Sequence, residues 1–298
     1  MTAKIIDGKA LATKVRNEVS KAVLELNKIN ITPGLATIIV GNDPASSIYV
    51  KNKGKSAKVV GIKSLQYTLP ESVSEDELLK LINGLNLNKD VDGILVQLPL
   101  PKNINSEIIL NAIDPSKDID GFHIVNAANI YLNREGVIPC TPLGCLIMLR
   151  SISQSLKGMH AVIIGRSNIV GKPMAQLLLN EDCTVTTVHS KSKNIEKIVK
   201  EADIIIAAVG IPNLVNENWV KKESIIIDVG INRINLENKT KLVGDVNFNA
   251  VQSFASYITP VPGGVGPMTI ACLLMNTVFQ CSRKNKISLP SNLTNLFK

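Results

Sequence analysis

Aromatic side chains are scarce: Phe, Tyr and Trp together supply 3% of the residues, against 45% hydrophobic residues overall. The core must therefore be built from Ile, Val, Leu and Ala, which favours parallel sheets covered by helices, whose strands read as continuous aliphatic runs. Histidine occurs three times, and the five cysteines, Cys140, Cys145, Cys183, Cys272 and Cys281, are odd in number and show no C-x-x-C pairing. Neither a zinc site nor a disulfide framework is expected from that set, and the pattern is that of a reduced, cytoplasmic-type protein. No stretch approaches the ~18–20 apolar residues of a membrane span, so no membrane partner is expected. The opening "MTAKIIDGKALATKV" lacks the long apolar run of a secretory leader. Internal repeats and low-complexity linkers are also missing.

Charge is unevenly placed. Of the 33 basic and 25 acidic residues, 16 and 15 lie in residues 1–139 and 17 and 10 in residues 140–298. Four of the later basic residues (Arg283, Lys284, Lys286 and Lys298) sit in the C-terminal tail. A modest surplus remains, which is either solvated surface or attraction for an anionic ligand such as a phosphorylated cofactor. A nucleic-acid partner would want a denser basic stripe with exposed aromatics, and none is expected.

What the chain does have is alternation. A helical pattern over 9–28 precedes the aliphatic run "GLATIIVG" (34–41), and a second helix is expected over 44–60. A short strand near 63–68, a helix over 74–86 and the strand "VDGILVQLP" (91–99) complete a first βαβ series. A helix over 142–156 then leads into a second series. Its strands are "MHAVIIG", "CTVTTVHS", "ADIIIAAVG" and "SIIIDVGIN", with a helix from 171. The segment 267–281 reads as a long apolar helix opened by Pro267. The fold class is α/β with two domains and a boundary near residue 140.

"VIIGRSNIVGKPMAQLLL" is strand, turn and helix, with Gly165 ending the strand and Gly171 opening the helix. It departs from the G-x-G-x-x-G fingerprint at Ser167. Its placement nevertheless suits a dinucleotide loop, where backbone N–H groups at a helix start hold phosphate oxygens and Ser167 adds a hydroxyl. NAD-binding folds usually carry an acidic residue about 20 positions on. Here that place reads "HSKSK" (189–193), without a carboxylate. Arg166, Ser190 and the neighbouring lysines suit a 2′-phosphate, so NADP is the expected cofactor.

In the first series, "YVKNK" places Tyr49 and Lys53 one helical turn apart, able to address one ligand. Burial disfavours an ammonium ion, which suits a lysine in a dry cleft to proton transfer. Gln97 stands at the C-terminal end of a buried strand, where open α/β sheets make ligand contacts. "DPSKDIDGFHIVN" (114–126) gathers Asp114, Asp118, Asp120 and His123 around Lys117 and reads as a capped loop, with His123 structural. "TPVPGGVGPMT" (259–269) is stiffened by proline and thinned by glycine, as suits a hinge or a close approach to ligand.

Taken in order, "YVKNK", "VDGILVQLPLP", "KDIDGFH", "PCTPLG", "GRSNIVGKP", "DVGIN", "GDV" and "PVPGGVGPMT" resemble the bifunctional methylenetetrahydrofolate dehydrogenase/cyclohydrolase family over residues 4 to 281. The resemblance implies a Rossmann-like NADP-binding domain (140–271) and an α/β folate-binding catalytic domain (1–139 and 272–298) with a cleft between them. It implies oxidation of 5,10-methylenetetrahydrofolate by NADP⁺, then hydrolysis to 10-formyltetrahydrofolate, in a cytoplasmic homodimer serving one-carbon metabolism. By resemblance Lys53 is the cyclohydrolase lysine, Tyr49 orients the folate, Gln97 holds Lys53, and Asp120 bonds the pterin. Val96, Leu98 and the segment Pro262, Gly263, Gly264, Val265 and Gly266 would line the folate. Gly165, Arg166, Ser167, Gly171, Ser190 and Ile231 would hold the cofactor. The sequence departs from the family after "DGFH", where Ala128 and Asn129 replace a Gly-Arg pair. Two further readings stay open: a monofunctional folate dehydrogenase, and a non-catalytic NADP-binding sensor.

Overall fold

The structure, a computed structural model, describes residues 2–236 and 239–296. In chain order the elements begin with β1 (Lys4–Ile5), α1 (Gly8–Lys28), β2 (Gly34–Val40), α2 (Pro44–Val59), β3 (Lys63–Leu69) and α3 (Glu75–Leu87). There follow β4 (Gly93–Val96), α4 (Ser106–Ala112), α5 (Ile124–Tyr131), α6 (Cys140–Arg150), β5 (His160–Ile164) and α7 (Gly171–Asn180). Then come β6 (Thr184–Val188), α8 (Ile195–Val199), β7 (Ile204–Ala207), β8 (Ile225–Asp228), β9 (Asn232–Leu236) and β10 (Lys239–Val243). The chain closes with α9 (Phe248–Val251), β11 (Tyr257–Ile258), α10 (Val265–Lys284) and α11 (Ser291–Thr294).

The chain divides into two compact units. Thr13–Cys140 with Ile270–Lys298 forms the small-sheet unit, built on β3-β2-β4. Met1–Ala12 with Thr141–Thr269 forms the large-sheet unit, ordered β1-β11-β8-β7-β5-β6. Every strand pair in both of these sheets is parallel. The division differs from the one read along the sequence at the N-terminus, which joins the large sheet. Lys4 and Ile5 pair with Tyr257 and Ile258, and the Ile6 N–H donates to the Ile258 carbonyl at 2.9 Å. A two-residue edge strand is too short to show a period, so its partner sheet is not readable from sequence.

Aliphatic runs form the sheet centres, as their composition requires. β2 is buried at all seven residues, and β7 and β8 are buried throughout. In the small-sheet unit Ile38, Leu78, Ile82, Ile94 and Ile109 are fully buried in one cluster. Each such side chain contributes roughly 1.5–3 kcal/mol of transfer free energy. α3 begins at a reciprocal cap: the Ser74 hydroxyl accepts from the Glu77 N–H (3.2 Å), and the Glu77 carboxylate accepts from the Ser74 N–H (3.0 Å). That arrangement satisfies two of the donors a helix start leaves open. α10 is long and apolar enough to cross a membrane by length and composition, but 72% of its most apolar window is buried within the protein. It is an interior helix.

Elements that sequence periodicity does not mark are short or irregular. The antiparallel pair β9–β10 is five residues long on each strand, and α5 follows directly on the acidic loop. His123 caps α5, its ring Nδ1 accepting from the Val125 N–H at 3.0 Å.

The start of β2 is held tightly. Gly34 accepts from the Asp92 N–H (2.8 Å) and donates to the Asp92 carboxylate (2.9 Å). A Cβ on Gly34 would lie 1.8 Å from the Asp90 carbonyl oxygen. Gly34→Ala should therefore force β2 away from the 90–92 segment and cost about 2–4 kcal/mol. Urea unfolding of the variant checks this; an unchanged midpoint contradicts it.

Candidate functional site

Two groups of candidate side chains assemble, one on each unit. In the small-sheet unit the buried positions of α2 include Val50, Lys53, Gly54 and Ala57. That is the core-facing stripe of an amphipathic helix, and an amine occupies it. Only 9% of Lys53 is exposed, while Tyr49, one turn earlier, is 37% exposed. The helix lies close on its sheet at this point: a Cβ on Gly54 would meet the Ser64 hydroxyl at 3.3 Å.

β4 supplies the partner. Lys53 Nζ donates to Gln97 Oε1 at 3.0 Å, and Gln97 Nε2 donates to the Leu98 carbonyl at 2.7 Å. The Gln97 backbone N–H continues the sheet by donating to the Ile38 carbonyl at 2.8 Å. Both ends of the amide are thus fixed, with its oxygen toward the amine. Val96 is 2% exposed and belongs to the core cluster, so only its main chain is available to a ligand.

The third member comes from the loop after α4. The Ile94 N–H donates to the Lys117 carbonyl at 2.7 Å, running this loop alongside β4. Asp118 is buried and accepts from the His123 N–H (2.8 Å), the Asn126 amide (2.9 Å) and the Gly121 N–H (3.1 Å), which shapes the turn. Asp120 then projects beside the Cys140 thiol and within the field of Lys53. Burial pushes the Asp120 carboxyl up, the Lys53 charge opposes that rise, and Asp118 adds to it. Burial and the Asp120 charge push the Cys140 thiol well above its usual value, which makes it a poor nucleophile. Asn276 on α10 was not singled out by motif; its amide donates to the Ile119 and Ile138 carbonyls (2.9 and 3.0 Å) and so pins the Asp120 segment.

At the other end of β4 a cavity of about 420 Å³ is lined by Asp92, Lys117, Asn126, Arg283 and Lys284 among others. Its ammonium groups already have partners. Lys117 donates to the carbonyls of Leu85 (3.0 Å), Asn86 (2.7 Å) and Asn88 (2.8 Å). Lys284 donates to the Asp92 carboxylate at 2.8 Å and to the Lys89 carbonyl. These cations hold the chain in place.

The large-sheet unit carries the glycine turn. Gly165 has φ +119°, and a Cβ there would lie 2.3 Å from the Ala208 carbonyl oxygen, so only glycine fits. The Ser167 hydroxyl accepts from the Val170 and Gly171 N–H groups, both at 3.2 Å. Ile164 pairs with Val188, and the Gly165 N–H donates to the Val188 carbonyl at 2.9 Å. Arg166 and Ser190, both exposed, therefore leave the carboxyl ends of adjacent strands. The 189–193 loop is tied to itself: the His189 N–H donates to the Ser192 hydroxyl (3.1 Å), and the Lys191 N–H to the His189 ring (3.2 Å). Pro262, Gly263, Gly264, Val265 and Gly266 also lie in this unit, with Gly263 at φ +112°. The Ile231 side chain stands 3.5 Å from where a Cβ on Gly266 would be. Among the described residues no group of three or more His, Cys, Asp or Glu side chains is placed to hold a metal ion.

Residues 6–120 match the catalytic domain of tetrahydrofolate dehydrogenase/cyclohydrolase, and residues 139–285 match the NAD(P)-binding domain of the same family. The chain belongs to the tetrahydrofolate dehydrogenase/cyclohydrolase family. It is a folate enzyme with a catalytic domain and an NAD(P)-binding domain. A bifunctional protein FolD from Ruegeria pomeroyi is 54% identical over 295 residues, covering 99% of this chain and all of the relative. The crystal structure of the bifunctional FolD of Campylobacter jejuni superposes with a TM-score of 0.92 at 49% identity, covering 95% of this chain and 99% of that one. The Trypanosoma brucei enzyme, solved with NADP cofactor and an inhibitor, has a TM-score of 0.93 at 38% identity, covering 96% and 99%.

Two carboxylates of this dehydrogenase/cyclohydrolase carry no role in the motif reading, although "DVGIN" and "GDV" contain them. Asp228 and Asp245 are 3% and 0% exposed. Burial pushes the Asp228 carboxyl up to about 7, with the neighbouring Asp245 adding to the rise and three backbone N–H groups opposing it. The ordinary aspartate value is about 3.9. Between about pH 4 and 7 the folded state thus binds a proton that the unfolded chain has lost. Stability from this group is full below about pH 4 and disappears as pH rises through about 7. The loss of stability between pH 5 and 8 should accordingly be about 2 kcal/mol smaller in Asp228→Asn than in the wild type. Urea titrations of both proteins at the two pH values check this, and equal losses contradict it.

Proposed function

We propose that the enzyme oxidises 5,10-methylenetetrahydrofolate to 5,10-methenyltetrahydrofolate with NADP⁺ and hydrolyses the product to 10-formyltetrahydrofolate. The observation that carries the reading is the Lys53–Gln97 hydrogen bond, which aims a buried amine from the core stripe of α2. NADP⁺, when bound, would supply the hydride acceptor that turns the methylene group into the amidinium-like methenyl group. The groups present suit a phosphorylated ribose: Arg166 supplies a cation and Ser190 a hydroxyl, and the 189–193 loop has no carboxylate to repel a 2′-phosphate. Gly165, Ser167 and Gly171 would receive the pyrophosphate at the start of α7, and Ile231 would help to hold the cofactor.

For the hydrolytic step, water adds to the methenyl carbon and loses a proton as the C–O bond forms. The C–N5 bond then breaks, leaving the formyl group on N10 and releasing one net proton. Lys53 carries protons in this sequence, and Gln97 holds its Nζ in place. Tyr49 orients the folate ring system, and Asp120 accepts from the paired N–H groups of the pterin. Val96 and Leu98 contribute main chain, and Pro262 to Gly266 offer a backbone thinned of side chains. NADP preference, a cytoplasmic homodimer and a role in supplying formyl groups for purine synthesis complete the proposal.

Wild type and Lys53→Met, assayed with methylenetetrahydrofolate and either NADP⁺ or NAD⁺, provide the test. Reduced cofactor and methenyl absorbance are followed together. The wild type should reduce NADP⁺ with a kcat/KM at least 10-fold above that for NAD⁺, a discrimination of about 1.4 kcal/mol, without accumulating methenyl product. Lys53→Met should accumulate it, with hydrolysis slowed about 10²–10⁴-fold. Clearance at the wild-type rate would remove Lys53 from the mechanism, and reduction of neither cofactor would remove the dehydrogenase reading.

A further inference from the structure

The segments that leave the carboxyl ends of β7 and β8 are joined by one buried side chain, and the turn after β7 in turn meets the glycine turn after β5. Asp245, fully buried just beyond β10, directs one carboxylate oxygen at the turn after β7, accepting from the N–H groups of Val209 (2.7 Å) and Gly210 (2.9 Å). Its other oxygen accepts from the side-chain amide of Asn232, the first residue of β9, at 2.8 Å. The approach is close: a Cβ on Gly230 would lie 2.2 Å from that oxygen. Asp228 fixes Asp245 in turn, accepting from the N–H groups of Asp245 (2.9 Å), Val246 (3.0 Å) and Gly230 (3.0 Å). The turn after β7 then meets the glycine turn directly, because the Ala208 carbonyl fills the space where Gly165 lacks a Cβ, and the Ala208 N–H donates to Ile164 at 2.9 Å.

We infer that Asp245 is a positioning residue for the dinucleotide: its carboxylate locks the Val209–Gly210 and Ile231–Asn232 turns against the Gly165 turn, so the cofactor's seat is formed before the cofactor arrives. The inference rests on the cofactor reading given above and extends it to a group some 80 residues downstream of the glycine turn. The physical warrant is preorganisation. Turns held by a buried, charge-assisted acceptor do not have to be ordered at the cost of binding free energy. A carboxylate is required because both of its oxygens accept. An amide at this position would turn an N–H group toward either the Val209 and Gly210 donors or the Asn232 donors.

The experiment compares the full-length wild type with Asp245→Asn and Asn232→Ala. Dehydrogenase kcat and KM for NADP⁺ are measured. Hydrolysis of methenyltetrahydrofolate is measured separately without any cofactor, as a reading of the small-sheet unit in the same samples. Asp245→Asn should raise the KM for NADP⁺ at least 20-fold with a smaller effect on kcat, while hydrolysis stays within threefold of wild type. Asn232→Ala should raise the KM about fivefold and decides the matter if Asp245→Asn does not fold. The inference is overturned if KM stays within twofold of wild type in the folded variants. A proportional fall of both activities in Asp245→Asn, with Asn232→Ala unaffected, also overturns it, since that is the mark of a general folding role. A wild type that hydrolyses methenyltetrahydrofolate but binds no NADPH, read by nucleotide fluorescence, would instead sink the cofactor reading itself.

Discussion

The parallel pairing of β2 with β4 is the constraint on which the small-sheet unit depends. Ile38 stands opposite Val96, and the ladder runs one residue further, where the Gln97 N–H reaches the Ile38 carbonyl. Parallel strands send their carboxyl ends the same way, so Gln97 emerges at the edge from which the chain leaves β2 to enter α2. The helix must lay an apolar stripe on that sheet, and Lys53 lies on the stripe between Val50 and Ala57. A buried amine left without an acceptor would cost several kcal/mol, and Gln97 supplies the acceptor. The site is thus a by-product of a helix packing correctly with one residue that does not belong in a core.

The same unit shows how little of its polar interior is left to chance. Lys117 donates to three carbonyls around the end of α3, and Asp118 gathers two N–H groups and an amide to shape the loop before α5. Asp120 follows immediately, held by neighbours that already have their partners. A buried carboxylate is placed accurately only when the turn beneath it has one conformation.

In the large-sheet unit, buried carboxylates do the same work for backbone turns. Glycine at 165 lets one turn approach the next, and the Asp228–Asp245 pair holds the turns further along the sheet edge. Placing two carboxylates out of water is unfavourable unless donors surround them. Between them they accept from five backbone N–H groups and one side-chain amide.

The long elements were legible because burial writes itself into sequence as a period. Continuous aliphatic runs predicted β2, β4, β5, β7 and β8, and the glycine turn between β5 and α7 followed from its strand–turn–helix setting. Motif order carried the family, and with it the proposed roles of Tyr49, Lys53, Gln97 and Asp120. The remainder depends on contacts between residues far apart in the chain. The two-residue strands β1 and β11 find each other across some 250 positions, Asn276 pins a loop about 150 residues before it, and Asp245 grips turns 13 to 36 residues away. A single side chain's hydrogen-bond partner has no periodicity and no fixed spacing. The sequence by itself therefore determined the long elements and the chemistry available to them, while only the tertiary structure decided the short elements and which acceptor each buried donor meets.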